Sequence, residues 1–210
     1  MKVLLINGSP DPAGCTYTAL SEVSKTLEEE GIDTEIFHIG KKPIAGCLGC
    51  GQCAKLGKCV FDDVVNVCLE KISDFDGFIF GSPVYYASAN GAMIAFMDRL
   101  FYAEAHSGKN AFYMKPAAAV VSARRAGTTA TFDEINKYFT ISQMPVVSSQ
   151  YWNMVHGNTP DEVRRDSEGM QIMRTLGRNT AYLLKCKEAA DKAGIPLPQK
   201  EKRAVTNFIR

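Results

Sequence analysis

Uninterrupted apolar runs alternate five times with segments of helical periodicity along this chain, and few architectures accept that order. Lys2 to Asn7 reads as a strand buried on both faces, running into Gly8-Ser9-Pro10. Thr16 to Glu30 then spaces Ala19, Leu20, Val23 and Leu27 along one helical face, with Gly31 as its stop. Thr34 to Ile39 is the second strand. Asp62-Asp63 caps a helix whose apolar side carries Val64, Val67, Cys68 and Ile72. Gly77 to Gly81 is the third strand, Ser82 to Tyr86 its exit loop, and a helix from about Asn90 to Phe101 turns Met93, Phe96, Met97 and Leu100 inward. The weakly patterned stretch Ala103 to Met114 suits an active-site lid or an oligomer contact. Ala117 to Ser122 gives the fourth strand, Thr131 to Phe139 a helix and Met144 to Ser148 the fifth strand. A long final helix, with room for a break, covers Asp161 to Ala190. The expected fold is α/β, a doubly wound five-stranded parallel sheet in the order 2-1-3-4-5. Residues 1–210 form one domain, with a cysteine loop at 44–61 and a C-terminal helix plus tail at 161–210.

Composition removes several function classes. A net charge of +1 over 210 residues, with Lys and Arg dispersed, leaves no footprint for nucleic acid. The runs Lys41-Lys42 and Lys200 to Arg203 read as solvated surface. No apolar stretch is long enough to span a bilayer, and Val3 to Ile6 is too short for a signal-peptide core, so a cytoplasmic location without membrane attachment is expected. An odd count of seven cysteines fits reduced thiols better than a disulfide scaffold.

Doubly wound sheets bind ligands outside the carboxyl ends of their strands, where the order reverses. The loops expected to meet there are Gly8 to Thr16, Ser82 to Ala89 and Ser122 to Gly127. The first joins a buried strand to a helix N-terminus, where free amides and the helix dipole favour an anion and the Ser9 and Thr16 hydroxyls add donors. It has neither the Gly-Lys-Ser/Thr of a nucleotide triphosphate loop nor the Gly-x-Gly-x-x-Gly of a dinucleotide fold. It suits one phosphomonoester, or else is a tight turn capped by Thr16. In Ser82-Pro83-Val84-Tyr85-Tyr86, Pro83 stiffens the exit and the tyrosines offer rings to a planar heterocycle, although such a pair also serves cores and interfaces.

Cys47, Cys50, Cys53 and Cys59 lie within one short loop after the second strand. Two x2 spacings and an x5 gap let four thiolates converge, with Gly57 freeing the backbone to return Cys59. An iron–sulfur cluster, zinc and free redox-active thiols are all open, zinc being disfavoured because its structural ligands usually arrive as separated pairs. Cys68 and Cys186 sit in predicted helices, where free cysteine is a small buried hydrophobe. His38, His106 and His156 show no metal spacing.

At Gly8-Ser9-Pro10 and Ser82-Pro83-Val84-Tyr85 the chain resembles the flavodoxin-like NAD(P)H-dependent FMN reductases, and with the cysteine run it resembles their iron–sulfur flavoprotein branch. The resemblance spans about residues 1–150. It implies FMN, with Ser9, Pro10, Cys15, Thr16 and Tyr17 at the phosphate end. Pro83, Val84, Tyr85, Tyr86, Ser88, Ser122, Arg124 and Gly127 would lie around the ring. It also implies NAD(P)H as electron donor, a [4Fe-4S] cluster on the four loop cysteines, and a homodimer or homotetramer. Asp11 stands where the group often has a basic residue, and Cys15 where it often has Asn or Ser. The expected activity is electron transfer from NAD(P)H to a quinone, flavin or other small acceptor. The alternatives are an electron carrier between redox proteins and a metal-binding module without turnover.

Overall fold

A computed structural model describes residues 1–202 and 204–208. Arg203 of the terminal basic run lies outside the described residues.

Side chains in the first strand, β1 (Lys2–Asn7), alternate between two helical layers because successive strand residues face opposite ways. Val3 and Leu5 join a core with Leu20, Val23 and Leu27 of α1 (Cys15–Glu29) and with Ile172, Met173 and Leu176 of a late helix. Leu4 and Ile6 face the opposite core, with Val65, Cys68 and Leu69, the Met93 to Leu100 stripe, and Phe139. β2 (Asp33–His38) and β3 (Gly77–Tyr85) flank β1 in parallel, which sets the reversal point between β1 and β3.

The second layer holds α3 (Val64–Lys71), after the one-turn α2 (Cys53–Leu56), and α4 (Gly91–Ser107). Asp63, not Asp62, caps α3 by accepting from the Val65 amide at 3.1 Å. Val67, expected to face inward, is exposed, and the apolar side of α3 is Val65, Cys68 and Leu69. The weakly patterned stretch 103–114, read as a lid or an oligomer contact, is helical in its first part and anchored to the core in its second. α4 runs to Ser107, and Phe112 is buried, stacked on Phe101 with ring centroids 4.5 Å apart. Cys68 is buried as expected, and burial pushes its thiol up to about 12. Cys186 instead lies exposed on the last helix.

After the two-residue β4 (Ser88–Ala89), which folds back on β3, come β5 (Ala117–Ala123), α5 (Thr128–Ile141) and β6 (Met154–His156). The sheet order is β2-β1-β3-β5-β6, the doubly wound arrangement expected. The fifth parallel strand is Met154–His156, however, and Met144 to Ser148 makes an isolated bridge, Val146 to Ala117. The Ala117 amide donates to the Pro145 carbonyl and the Val147 amide returns the bond, but Pro145 has no amide with which to extend a ladder. The chain then turns at Ser149 to Tyr151, whose hydroxyl and backbone groups bond one another, and rejoins the sheet beside the end of β5. The final helix is broken at Asp166 into α6 (Pro160–Arg165) and α7 (Ser167–Lys192).

Candidate functional site

At the carboxyl ends of β1, β3 and β5 lies a cavity of about 360 Å³, within the range of small-molecule sites. Its floor follows from glycine. The Gly8 amide bonds the Gly81 carbonyl at 2.8 Å, and a Cβ on Gly81 would lie 2.8 Å from Leu20 Cδ1 and 2.9 Å from Thr16 Cγ2. Only a bare backbone there lets the start of α1 settle on the strand ends.

The first loop organises itself. Asn7 Oδ1 accepts from the Ser9 amide, Ser9 Oγ from the Asp11 amide and Asp11 Oδ1 from the Ala13 amide, at 3.1, 3.1 and 3.0 Å. His38, at the end of β2, adds a ring-nitrogen contact of 2.8 Å to the Ser9 carbonyl. The Ser9 hydroxyl therefore accepts from its own loop, while Gly14, Cys15 and Thr16, at the opening of α1, line the cavity. α3, α4, α6 and α7 are each capped by a side chain, from Asp63, Asn90, Thr159 and Asp166, but α1 starts at Gly14 with no side-chain cap. Its first-turn N–H groups and dipole are left for an anion.

Thr16 and Ser122, both buried, join their hydroxyl oxygens at 2.8 Å across the reversal point. One hydroxyl proton serves that bond; the other is free to donate into the cavity both residues line. Cys15 lies 3.6 Å from the Gly157 carbonyl. Burial pushes its thiol up, and the Glu162 and Asp11 carboxylates push it further.

β3 continues through Pro83, Val84 and Tyr85 along the cavity wall, so the expected exit loop is strand. Tyr86 and Ala87, at φ +50° and +60°, then turn the chain into β4, as a two-residue hairpin with matching twist requires. Gly127, at φ +96°, seats this hairpin: a Cβ there would lie 2.7 Å from Ala87 Cα. α5, which follows, also lacks a side-chain cap.

Ser9, Pro10, Cys15, Thr16, Pro83, Val84, Tyr85, Ser122 and Arg124 thus come together on one cavity. Tyr17, Tyr86, Ser88 and Gly127 do not line it. Tyr86 is fully exposed, and Ser88 Oγ donates to Glu134 Oε2 at 2.8 Å, tying β4 to α5. Gly157, Asn158 and Pro160 complete the wall, unforeseen because the misplaced fifth strand hid the connection that carries them. The Gly-Asn-Thr-Pro signature of a loop feeding a helix was the available signal.

A second, small cavity is lined by Cys47, Cys50, Cys53 and Cys59 together. Gly49, Gly51 and Gly57 take left-handed φ of +61°, +67° and +68°, and Gly57 ends α2, an element not expected, at the turn back toward Cys59 that its freedom was read to allow. Cys47 and Cys50 are exposed, whereas Cys53 is buried, which raises its thiol, with Cys50 and Cys47 adding to the effect. Buried Asn66 accepts from the Cys59 amide and donates to the Cys59 and Phe61 carbonyls, each at 2.9 Å. Arg99 of α4, 1% exposed, reaches the same turn and gives Nε–H to Cys59 Sγ at 3.3 Å. Among the described residues no three Cys, His, Asp or Glu side chains are set to hold a single metal ion.

Residues 1–159 match the family described as NADPH-dependent FMN reductase. The chain belongs to that family. An iron–sulfur flavoprotein of Methanocaldococcus jannaschii is 32% identical over 194 residues, covering 88% of this chain and 98% of its own. A second from the same organism is 31% identical over 193 residues, covering 85% and 94%. Among solved structures, RosB with a bound 8-demethyl-8-formylriboflavin-5'-phosphate intermediate aligns with a TM-score of 0.70 at 16% identity, covering 99% of this chain and 92% of that one. A flavodoxin from the domain Archaea aligns at 0.60 and 16%, covering 88% and 99%. These two likenesses concern the fold, which is flavodoxin-like.

As a member of the FMN reductase family the chain is an FMN-dependent oxidoreductase, and its first cavity fits that cofactor. The uncapped start of α1 suits a phosphate, and the spare hydroxyl proton of the Thr16–Ser122 pair suits a polar ligand edge. Pro83, Val84 and Tyr85 offer a largely apolar wall to a ring. No helix among the described residues is long and apolar enough to cross a membrane.

Proposed function

We propose that this reductase-family protein takes electrons from NAD(P)H through FMN and passes them to a quinone, a flavin or another small acceptor. The observation that carries the reading is the meeting of the uncapped α1 N-terminus, the Pro83 to Tyr85 wall and the Ser122 to Arg124 loop on one cavity. Bound FMN supplies hydride acceptance and the release of electrons singly or in pairs. The chain's own residues hold and aim it. Amides of the first turn of α1 bind the phosphate, the Thr16–Ser122 pair spans the reversal point, and Pro83 to Tyr85 back the ring. Arg124, exposed at the cavity edge, meets negative charge on the reduced ring or on the pyridine nucleotide.

A second reading, in which the protein carries electrons between redox proteins, is favoured by the shared cavity of the four loop cysteines and by the names of the iron–sulfur relatives. The donor set fits a [4Fe-4S] cluster. Four thiols on one cavity are the all-cysteine donor set such a cluster takes, and their crowding in one short loop is unlike the separated pairs of structural zinc sites. Cys47, Cys50, Cys53 and Cys59 would be its ligands, and the cluster would supply one-electron transfer. A homodimer or homotetramer belongs to the same proposal, supported by the exposed aromatics Tyr86, Tyr151 and Trp152.

Anaerobic purification with flavin and iron analysis, followed by mixing with NADH or NADPH, tests both readings. Bleaching of bound FMN by either nucleotide is the expected result. Flavin that binds but is not bleached would leave the carrier, and no binding at saturating FMN would exclude both.

A further inference from the structure

Among the described residues Arg99 is the bulkiest fully buried side chain, and it does not line the cavity proposed for FMN. Its side chain is 0% exposed, a costly position for a guanidinium unless each donor is matched. All are. Nη1 donates to Asp63 Oδ2 at 2.6 Å and to the Ala45 carbonyl at 3.4 Å; Nη2 donates to Asp63 Oδ1 at 2.9 Å and to the Phe61 carbonyl at 3.3 Å. Nε–H is thereby left aimed at one acceptor, Cys59 Sγ, 3.3 Å away. The Phe61 ring lies 4.8 Å from the guanidinium carbon and closes that side. Ala45 precedes the cysteine run, while Phe61 and Asp63 follow it, so one side chain from α4 gathers both ends of the loop and one sulfur.

We propose that Arg99 is a positioning residue for the cysteine centre: it fixes Cys59 Sγ toward the shared cavity and, through its Nε–H, raises the reduction potential of a cluster held there. The inference rests on the cluster reading above. Adding an electron makes the ligating sulfurs more negative, and a donor aimed at one of them stabilises the reduced form more than the oxidised form. The bidentate bond to Asp63 offsets much of the guanidinium's net charge at a distance, so the local N–H contact carries the effect. A carboxylate acting alone at this position would shift the potential the other way.

Lysine retains the charge but cannot reach Asp63 in a fork while also donating to Cys59. Arg99→Lys should therefore keep iron but lower the potential, with about a tenfold smaller one-electron reduction constant, which is 59 mV. The double variant Arg99→Met with Asp63→Asn removes both charges, keeps an acceptor for the α3 cap, and should lower the potential at least as far. Each protein is reconstituted anaerobically with iron and sulfide, its iron and FMN are counted, and its cluster is titrated by a spectroscopic redox titration. Bound FMN reports an intact fold. Four irons per chain in the wild type and in Arg99→Lys, with a lower potential in the variant, supports the proposal. Equal potentials at equal iron content overturn it while leaving the cluster reading intact. A wild-type protein that takes up no iron overturns both.

Discussion

The cavity at the strand ends, proposed for FMN, draws its walls from connections spread between Ser9 and Pro160, whereas the cysteine cavity takes its thiols from the single stretch Cys47 to Cys59. In the first, the strand ends of a buried sheet place the groups, and the proposed FMN contacts rest largely on backbone: first-turn amides, a proline and a hairpin. In the second, the reactive groups are side chains on a loop whose short one-turn helix gives little rigidity, and a buried arginine and asparagine from the neighbouring layer hold it. A site made by topology tolerates changes in its side chains better than changes in its glycines. A site made by a motif depends on the partners that pin it.

The largest expected effect falls on the first region. Gly127→Ala forces a side chain onto a left-handed backbone at φ +96° and sets its Cβ 2.7 Å from Ala87 Cα. The conformation costs about 1–2 kcal/mol and the overlap about 1–3 kcal/mol. Chemical unfolding should show a loss of about 2–5 kcal/mol, and FMN titration a weaker affinity as the hairpin moves. Iron uptake should persist. Loss of iron with the flavin would break the comparison, because the two cavities would then share a support.

The same contrast explains what was legible in the sequence. Apolar runs, helical spacing and turn residues gave the sheet order, and through it the three loops that meet at the reversal point, since the geometry of a doubly wound sheet leaves them no other place. The fifth strand was misplaced because Met144 to Ser148 has the right composition, while Pro145 and the turn at Ser149 move the pairing to Met154–His156. Gly157 and Asn158 were missed with it. At the cysteine loop the spacing showed that four thiols can meet on one cavity. Arg99 was not legible, because an arginine on a helix otherwise patterned for the core reads as a solvated interruption until the fold brings it to Cys59. Ser88 shows the opposite error, a hydroxyl in the right loop that points away, toward Glu134.

A smaller effect is expected from Cys53→Ala. Cys53 is buried at the start of α2, so removing its sulfur should cost on the order of 1 kcal/mol. Iron content should fall while FMN binds with unchanged stoichiometry, measured by metal analysis and flavin absorbance on the same sample. Unchanged iron would remove Cys53 from the ligand set.

The smallest effect, a difference in rates, compares the two regions within one molecule. Cys15 lines the flavin cavity, and Cys47 and Cys50 lie exposed on the loop. Alkylation requires the thiolate. Burial, with Glu162 and Asp11 nearby, holds the Cys15 thiol above its ordinary value, so at a given pH less of it is ionised. Its alkylation by iodoacetamide, followed site by site by mass spectrometry, should therefore begin to rise at a higher pH than that of an unperturbed thiol. FMN should slow Cys15 several-fold and leave Cys47 and Cys50 unaffected; iron reconstitution should protect Cys47 and Cys50 and leave Cys15 open. Each ligand then guards only the thiols of its own cavity. Protection of Cys15 by iron, or of Cys47 by FMN, would mean that the occupants interact within a chain or across a subunit contact, and that a site set by topology and one set by a motif had been joined by assembly.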